Sequence, residues 1–376
     1  MSDEITPVFG LTKSQLLPIV QGLGGAAGDA FEVVVSRQLP AEDWGGACEP
    51  VVLAFTFTTP AGEARAAEVF AKRYQHPGPR EAKHYAWLSQ LGAPVPNYYG
   101  RAAGPDEREV LFLECIDAPN QDRQVYLDPA ACRSFFTTLA RFNATRPPEG
   151  LRHLLPQQDW ALRLGPTGAW NDRRGYWPAG RVLGRIRAHE QEAPRDDALG
   201  RFCTGPQEHL RAIALGAERL AGPIGHMETG PVHDDFRAAQ TGWRRSPREL
   251  VVYDLEFLGL GPRFHDVATV LGEPDEEQTF CLPRPELARL YLQEYARAGG
   301  EAPPLAQFLA EVRLLHLAHR LSVLGWWLGY VYHAEGEPGQ SEQQKAKMVA
   351  ARRDELYAWL RFLLAGVTLS KGAVSP

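Results

Sequence analysis

The chain has 376 residues, 44% hydrophobic and 23% charged, with a formal net charge of −6. Such a composition suits a globular protein with a sizeable core, built as one large domain or two lobes. The mildly acidic balance, with no run of Lys and Arg, argues against nucleic acid or an anionic membrane as a partner.

Cys48, Cys115, Cys132, Cys203 and Cys281 are scattered, and none forms a C-x-x-C pair. An odd, unclustered set suits reduced thiols in a cytoplasmic protein, not a disulfide framework or a zinc site. The opening residues hold no basic segment followed by an apolar one, so no signal peptide is expected. The apolar stretch from Leu321 to Tyr332 is too short to span a bilayer, so no membrane partner is expected either. Nothing in the patterning points to a particular oligomeric state.

The first third reads as strands. Phe31 to Val35, Val51 to Thr58 and Ala67 to Tyr74 are β-rich, and Pro60-Ala61-Gly62 predicts a hairpin turn between the second and third. Gly45-Gly46, ahead of the second strand, could let backbone N–H groups approach phosphates, although an ordinary hairpin loop is the simpler reading. A helix is predicted from Pro79 to Leu91, with Trp87, Leu88 and Leu91 on one stripe, stopped by Gly92-Ala93-Pro94-Val95-Pro96. Val110 to Ile116 is a short apolar run that suits a buried strand. An amphipathic helix follows from Pro129 to Asn143, with Pro129 near its start.

Residues 150 to 228 hold Trp160, Trp170 and Trp177 among many charges, and read as two or three helices with long loops. Pro285 to Ala298, Pro304 to His333 and Ser341 to Val367 are further helical patterns, and Ala334 to Gln340 reads as an exposed loop. His316 and His319 stand three apart on one helix. With no further ligand beside them they read as packing residues, not a metal site. Trp326, Trp327, Tyr330 and Tyr332 read most simply as core.

The chemistry concentrates in Val232-His233-Asp234-Asp235-Phe236-Arg237-Ala238-Ala239-Gln240 and in the apolar run Val251 to Glu256. Thr241-Gly242-Trp243 can begin a strand and Ser246-Pro247-Arg248 can turn it back, which sets Gln240 and Asp254 at neighbouring strand ends. A carboxylate among Val251, Val252, Tyr253, Leu255 and Phe257 is costly without a partner, and a cation is one such partner. Magnesium takes oxygen ligands, which an amide and a carboxylate supply. Phosphoryl transfer to a hydroxyl uses one Asp to orient that hydroxyl, and an amide plus a second Asp to hold the metal ions that bridge the nucleotide phosphates. Asp235, Gln240 and Asp254 suit those roles in that order; a turn cap and a surface acid are the bland alternative. Arg237 could approach the transferring phosphate, with a solvated surface Arg as the competing reading. Lys72 on a strand and Glu81 opening the next helix suit a pair that turns the Lys toward the α- and β-phosphates.

These residues together resemble the aminoglycoside phosphotransferase family of small-molecule kinases, also called choline-kinase-like. That family reads H-G-D-x-x-x-x-N, then an apolar strand with D-x-E, then G-P-x-x-x-D-hydrophobic-A. Here stand His233-Asp234-Asp235 with Gln240, Asp254-Leu255-Glu256, and Gly261-Pro262-Arg263-Phe264-His265-Asp266-Val267-Ala268. Phe70-Ala71-Lys72-Arg73, Arg80-Glu81 and Gly92 to Pro96 look like its nucleotide-lobe signatures. Leu111-Phe112-Leu113-Glu114 looks like its hinge strand, and Thr138 to Asn143 like the helix after it. Three positions depart from the pattern: Asp234 stands for the usual Gly, Gln240 for Asn, and Asn143 for His.

The resemblance implies an α+β, bilobal, protein-kinase-like fold. Residues 1–117 would form a small antiparallel-sheet nucleotide lobe, and 118–376 a mainly helical lobe for catalysis and acceptor binding. It further implies magnesium-dependent transfer from ATP or GTP to a hydroxyl of a small-molecule acceptor, an antibiotic or a metabolite. In that reading Asp235, with Arg237, is catalytic. Gln240 and Asp254 hold the metal, Lys72 and Glu81 hold the phosphates, and the backbone near Glu114 and Ile116 binds the base. Asp266 would support the catalytic loop. A nucleotide-binding regulatory protein of the same fold that has lost catalysis is the alternative raised by Asp234 and Gln240.

Overall fold

The computed structural model of the protein describes residues 6–26, 30–39, 48–75, 81–117, 124–153, 155–157, 164, 179–272, 280–325, 331 and 341–369. Gly45-Gly46, Trp160, Trp170, Trp177, the aromatic group Trp326, Trp327, Tyr330 and Tyr332, and the loop Ala334 to Gln340 lie outside the described residues. The chain divides into two compact units. The first takes residues 1–156, 231–259 and 274–303, and the second takes 157–230, 260–273 and 304–376.

In the first unit, helix α1 (Lys13–Gly22) leads into strands β1 (Phe31–Gln38), β2 (Cys48–Thr58) and β3 (Ala64–Tyr74). Helix α2 (Glu81–Gln90) follows, then strands β4 (Tyr98–Ala103) and β5 (Glu109–Glu114). The five strands form one antiparallel sheet in the order β1-β2-β3-β5-β4. Because side chains alternate along a strand, one face takes Val51, Leu53, Phe55, Val69, Ala71, Val110 and Phe112, which bury against Leu16, Ile19 and Val20 of α1. The intervening residues Lys72 and Tyr74 are also buried, on the opposite face. Between β2 and β3, Gly62 has φ of 83° and donates its N–H to the Thr59 carbonyl at 2.9 Å. That left-handed corner is the hairpin turn read from Pro60-Ala61-Gly62.

The rest of the first unit adds α3 (Gln124–Leu127), α4 (Pro129–Ala144) and α5 (Glu149–Arg152). Asp128 caps α4 by accepting from the Ala131 N–H at 2.7 Å, and Pro129 takes the first helical position. Phe135 of α4 meets Tyr126, Phe136 and Phe236 in edge-on ring contacts, and Phe142 meets Phe236 in the same way.

The chain passes through α6 (Ala179–Glu192), α7 (Ala198–Thr204), α8 (Glu208–Gly225) and β6 (Thr229–Val232) to the hairpin β7 (Thr241–Arg244) and β8 (Glu249–Val252). Strand β9 (Gly259–Pro262) and helices α9 (His265–Leu271), α10 (Arg284–Arg297), α11 (Leu305–Ser322) and α12 (Glu342–Leu369) complete it. In the second unit α6, α7, α8, α9, α11 and α12 pack on one another around Ile186, Ile213, Leu220, Leu315, Leu321, Leu356 and Leu360. Arg353 of α12 is buried there, where it donates to Glu190 and, at 3.0 Å, to Asp197. His316 is buried and donates from Nδ1 to the Ala268 carbonyl at 3.0 Å, a packing role.

The small antiparallel sheet followed by a mainly helical remainder is the α+β arrangement expected. Some boundaries differ. The helical pattern from Pro304 is broken after Ser322, and the run Val251 to Glu256 leaves the strand at Val252. Helix α1 and strand β4 were not foreseen. Among the described residues no helix is long and apolar enough to cross a membrane.

Candidate active site

The site is built on the first unit, from the inner face of β3, the start of α2, and the two loops that flank the β7–β8 hairpin. Lys72 sits near the end of β3, opposite Leu111 of β5. Its ammonium meets Glu81 Oε2 at 3.0 Å and Asp254 Oδ1 at 3.7 Å. Burial alone would lower the Lys72 pKa, but the Glu81 and Asp254 carboxylates outweigh it and hold the ammonium above its ordinary range.

Glu81 opens α2 and is itself buried. Its Oε2 also accepts from the Tyr74 hydroxyl, and its Oε1 accepts from the Leu255 N–H at 3.2 Å. Burial, then the Glu81 carboxylate, push the Tyr74 phenol far above its usual range, so it stays a neutral donor. Three donors therefore satisfy one buried carboxylate, which is the condition under which such a charge is tolerated.

In the β7–β8 hairpin, Thr241 lies opposite Val252, so Gln240 and Asp254 stand just beyond neighbouring strand ends. The Tyr253 N–H donates to the Gln240 carbonyl at 2.9 Å and closes that end. Gln240 Nε2 lies 3.5 Å from Asp254 Oδ2, while Gln240 Oε1 is buried and has no hydrogen-bond partner among the described residues. Asp254 adopts φ 65° and ψ 62°, a left-handed conformation at the start of a 3₁₀ turn, Leu255–Phe257. Its N–H donates to the Tyr85 hydroxyl oxygen at 3.0 Å. Non-glycine residues rarely hold this conformation, and when they do it tends to mark functional sites.

The loop after β6 is fixed at its base. His233 is fully buried and donates from Nε2 to the Tyr253 carbonyl at 2.9 Å. Asn143 Nδ2 donates to the Pro231 carbonyl at 3.4 Å and Asn143 Oδ1 accepts from Tyr291 at 3.1 Å. Asp234 has φ of 66°. A glycine is the default at such a position, and Asp is among the few side chains that tolerate it. Asp235 follows, half-buried, with Arg237 Nε 3.5 Å from its Oδ1. Arg237 is largely exposed and precedes a 3₁₀ turn, Ala238–Gln240.

At the end of β5, the Glu114 carboxylate accepts from Arg244 Nε at 3.0 and 3.1 Å and from the Asn97 N–H at 3.0 Å. Arg244 also donates to Glu249 at 2.6 Å and to the Val95 carbonyl at 2.8 Å. Asp117 and Trp243 exchange backbone hydrogen bonds at 2.9 and 2.7 Å, which ties the segment after β5 to β7. Ile116 lies between these anchors and packs on Gly242, where an added Cβ would sit 2.6 Å from Ile116 Cδ1. The Ile116 N–H and C=O take part in no hydrogen bond among the described residues.

Lys72, Glu81, Gln240 and Asp254 thus form one connected cluster, while Asp235 with Arg237, and Glu114 with Ile116, are placed by separate anchors. The motif reading passed over Tyr74, Tyr85, Arg244 and Gly242. Tyr85 had a signal, because it lies four residues after Glu81 and so on the same helix face. Arg244 had none, since its partners are remote in sequence. The Gln240 amide, whose Nε2 lies 3.5 Å from Asp254 Oδ2 and whose Oε1 is buried without a partner, together with the Asp254 carboxylate supplies the oxygen-donor types magnesium takes. Among the described residues no group of three or more His, Cys, Asp or Glu side chains is placed to hold a metal ion.

A sequence model described as the phosphotransferase enzyme family matches residues 54–309 of this chain. No curated protein matches it. Among solved structures, an ethanolamine kinase from Plasmodium vivax is 11% identical, with 93% of this chain and 92% of that one covered and a TM-score of 0.48. A choline/ethanolamine kinase family protein from Mesorhizobium loti is 14% identical, with 95% and 98% covered and a TM-score of 0.40. The GDP complex of an aminoglycoside 2′-phosphotransferase-IIIa is 9% identical, with 91% and 97% covered and a TM-score of 0.46. These likenesses are too distant to speak to activity.

Proposed function

Because this chain belongs to the phosphotransferase enzyme family, we propose that it transfers the γ-phosphoryl group of ATP or GTP to a hydroxyl of a small-molecule acceptor. The observation that carries the reading is the buried cluster in which Lys72 is held between Glu81 and Asp254, with Gln240 beside Asp254. A cation fixed by two carboxylates, next to an oxygen donor pair, is what a polyphosphate and its metal require.

In this reading the Lys72 ammonium, held charged and immobile by Glu81, binds nucleotide phosphates. Gln240 and Asp254 would hold magnesium, which when bound neutralises phosphate charge. The open N–H and C=O of Ile116, with the backbone at Glu114, would receive the base. Asp235 accepts or orients the acceptor hydroxyl's proton. Arg237, exposed and beside Asp235, would meet the charge of the phosphoryl group as it passes. Residues 1–117 would serve as the nucleotide lobe, and 118–376 as the lobe for catalysis and acceptor binding. Asp266 would support the catalytic loop. The setting is the cytoplasm, in keeping with five free cysteines, four of them buried.

The test is nucleotide-dependent phosphorylation across a panel of hydroxylated small molecules with magnesium, run beside Asp235→Ala. Removing a positioned acid–base group costs about 10²–10⁴-fold in rate. The expected result is acceptor-dependent transfer that drops by that factor in the variant, with nucleotide affinity kept. Nucleotide binding without transfer to any acceptor would point to a regulatory nucleotide-binding protein. Absence of nucleotide binding would sink the reading.

A further inference from the structure

Helix α2 does more than hold Lys72. Glu81 and Tyr85 are four residues apart and share one face of the helix. Glu81 Oε1 accepts the Leu255 N–H at 3.2 Å, and Tyr85 Oη accepts the Asp254 N–H at 3.0 Å. Two consecutive backbone donors at the start of the 3₁₀ turn are therefore bound by side chains of a single helix. Between them Asp254 keeps its left-handed backbone, with φ 65° and ψ 62°. An L-residue stays there only where its surroundings over-determine it. The carboxylate that results lies 3.7 Å from Lys72 Nζ and 3.5 Å from Gln240 Nε2.

We propose that Tyr85 is a positioning residue for the metal-binding carboxylate: its phenol oxygen fixes the Asp254 backbone, and thereby sets the Asp254 side chain beside Gln240. The inference rests on the reading of Asp254 as a metal ligand. Tyr85 suits the task because it is 1% exposed and its ring is locked by packing. Glu81 and Tyr85 make α2 a common support: one residue reaches the phosphate-binding Lys, the other the metal-binding Asp. A shift of α2 would disturb both at once.

The experiment compares wild type, Tyr85→Phe, Asp254→Asn and Thr138→Val by acceptor phosphorylation as a function of free Mg²⁺, with unfolding measured for each. Thr138→Val serves as a stability control. It removes a different buried hydrogen bond, from Thr138 Oγ1 to the Leu250 carbonyl at 2.9 Å, in which no residue of the cluster takes part. Loss of a group that orients a metal ligand typically costs about 10–100-fold in metal affinity or activity. Tyr85→Phe is therefore expected to need about tenfold more Mg²⁺ for half-maximal rate and to lose about tenfold in kcat, with the acceptor KM unchanged. Thr138→Val is expected to show the wild-type Mg²⁺ dependence.

If Asp254→Asn keeps normal Mg²⁺-dependent transfer, the metal-ligand reading itself is wrong. If Asp254→Asn is inactive but Tyr85→Phe keeps the wild-type Mg²⁺ dependence, only the role given to Tyr85 is overturned. Should Tyr85→Phe not fold, amide exchange in the wild-type protein decides. A strongly protected Asp254 N–H supports the clamp, and a freely exchanging one overturns it.

Discussion

Replacing Glu81 by Gln isolates the buried charge on which the proposed site depends. The Glu81 side chain is 2% exposed and that of Lys72 is 9%, so neither charge has water to fall back on. Removing one partner of a buried pair costs about 3–5 kcal/mol, because the other is left uncompensated. Asp254 Oδ1 remains 3.7 Å from Lys72. The Gln amide keeps a single acceptor oxygen, and because Tyr74 and Leu255 use different oxygens of Glu81 it can serve only one of them. The expected loss therefore stays at about 3–5 kcal/mol.

The pH dependence follows from the direction of the Lys72 shift. In the wild type its pKa is raised above the ordinary 10.5. The pairing therefore stabilises the fold in full below 10.5, and is lost only as pH rises through the higher folded value. In the variant, burial is opposed chiefly by Asp254, so the ammonium titrates at lower pH than in the wild type. Urea unfolding at neutral pH, together with kcat/KM for the nucleotide from neutral to alkaline pH, reads both effects. The expected result is lower stability, a raised nucleotide KM, and an alkaline limb displaced downward. Stability within about 0.5 kcal/mol of wild type, as for an ordinary surface change, with an unmoved alkaline limb, would refute the argument.

Gly242→Ala should press the segment after β5: the new Cβ would fall 2.6 Å from Ile116 Cδ1 and 3.1 Å from the Asp117 carbonyl oxygen. Overpacking of this kind costs about 1–3 kcal/mol. Here it should appear as weaker nucleotide binding in a fluorescent-nucleotide titration, with kcat at saturation kept; equal affinity would count against Ile116 lining the base site. In the second unit, Glu190→Gln leaves buried Arg353 with only Asp197 and should lower stability by about 3–5 kcal/mol, read by urea unfolding. Hydrogen bonding from Arg353 holds the Asp197 carboxyl below its ordinary 3.8. That contribution is present above 3.8 and is lost as pH falls through the lower folded value. Asp197→Asn should therefore flatten the acid fall in the urea midpoint, and an unchanged fall would refute the pairing.

Much of the framework follows from local rules. The pleat makes Val69 and Ala71 face one way and Lys72 and Tyr74 the other, so a Lys within an apolar strand is placed on the inner face by spacing alone. Asp128 and Pro129 start α4 by capping chemistry that any helix uses. The turn at Ser246-Pro247 returns β8 beside β7 and brings Gln240 and Asp254 to one end. Two elements escaped despite partial signals. Helix α1 carries a Thr12–Gln15 capping box, but its interior Pro18 argues against a helix. Strand β4 lacks the alternation of a half-buried strand, since its residues are evenly half-exposed or exposed.

Sequence order determined which residue types could serve phosphoryl transfer and on which elements they would ride, because periodicity and turn chemistry act over a few residues. The tertiary structure alone decided who meets whom. Glu81 reaches Leu255 across 174 residues, and Arg244 reaches Glu114 across 130. It also decided that Asp254 leaves its strand in a left-handed turn, held by Tyr85. Aspartate tolerates that conformation better than most side chains, but local preference alone does not select it. It persists because the Asp254 backbone donor finds an acceptor on the packed helix α2.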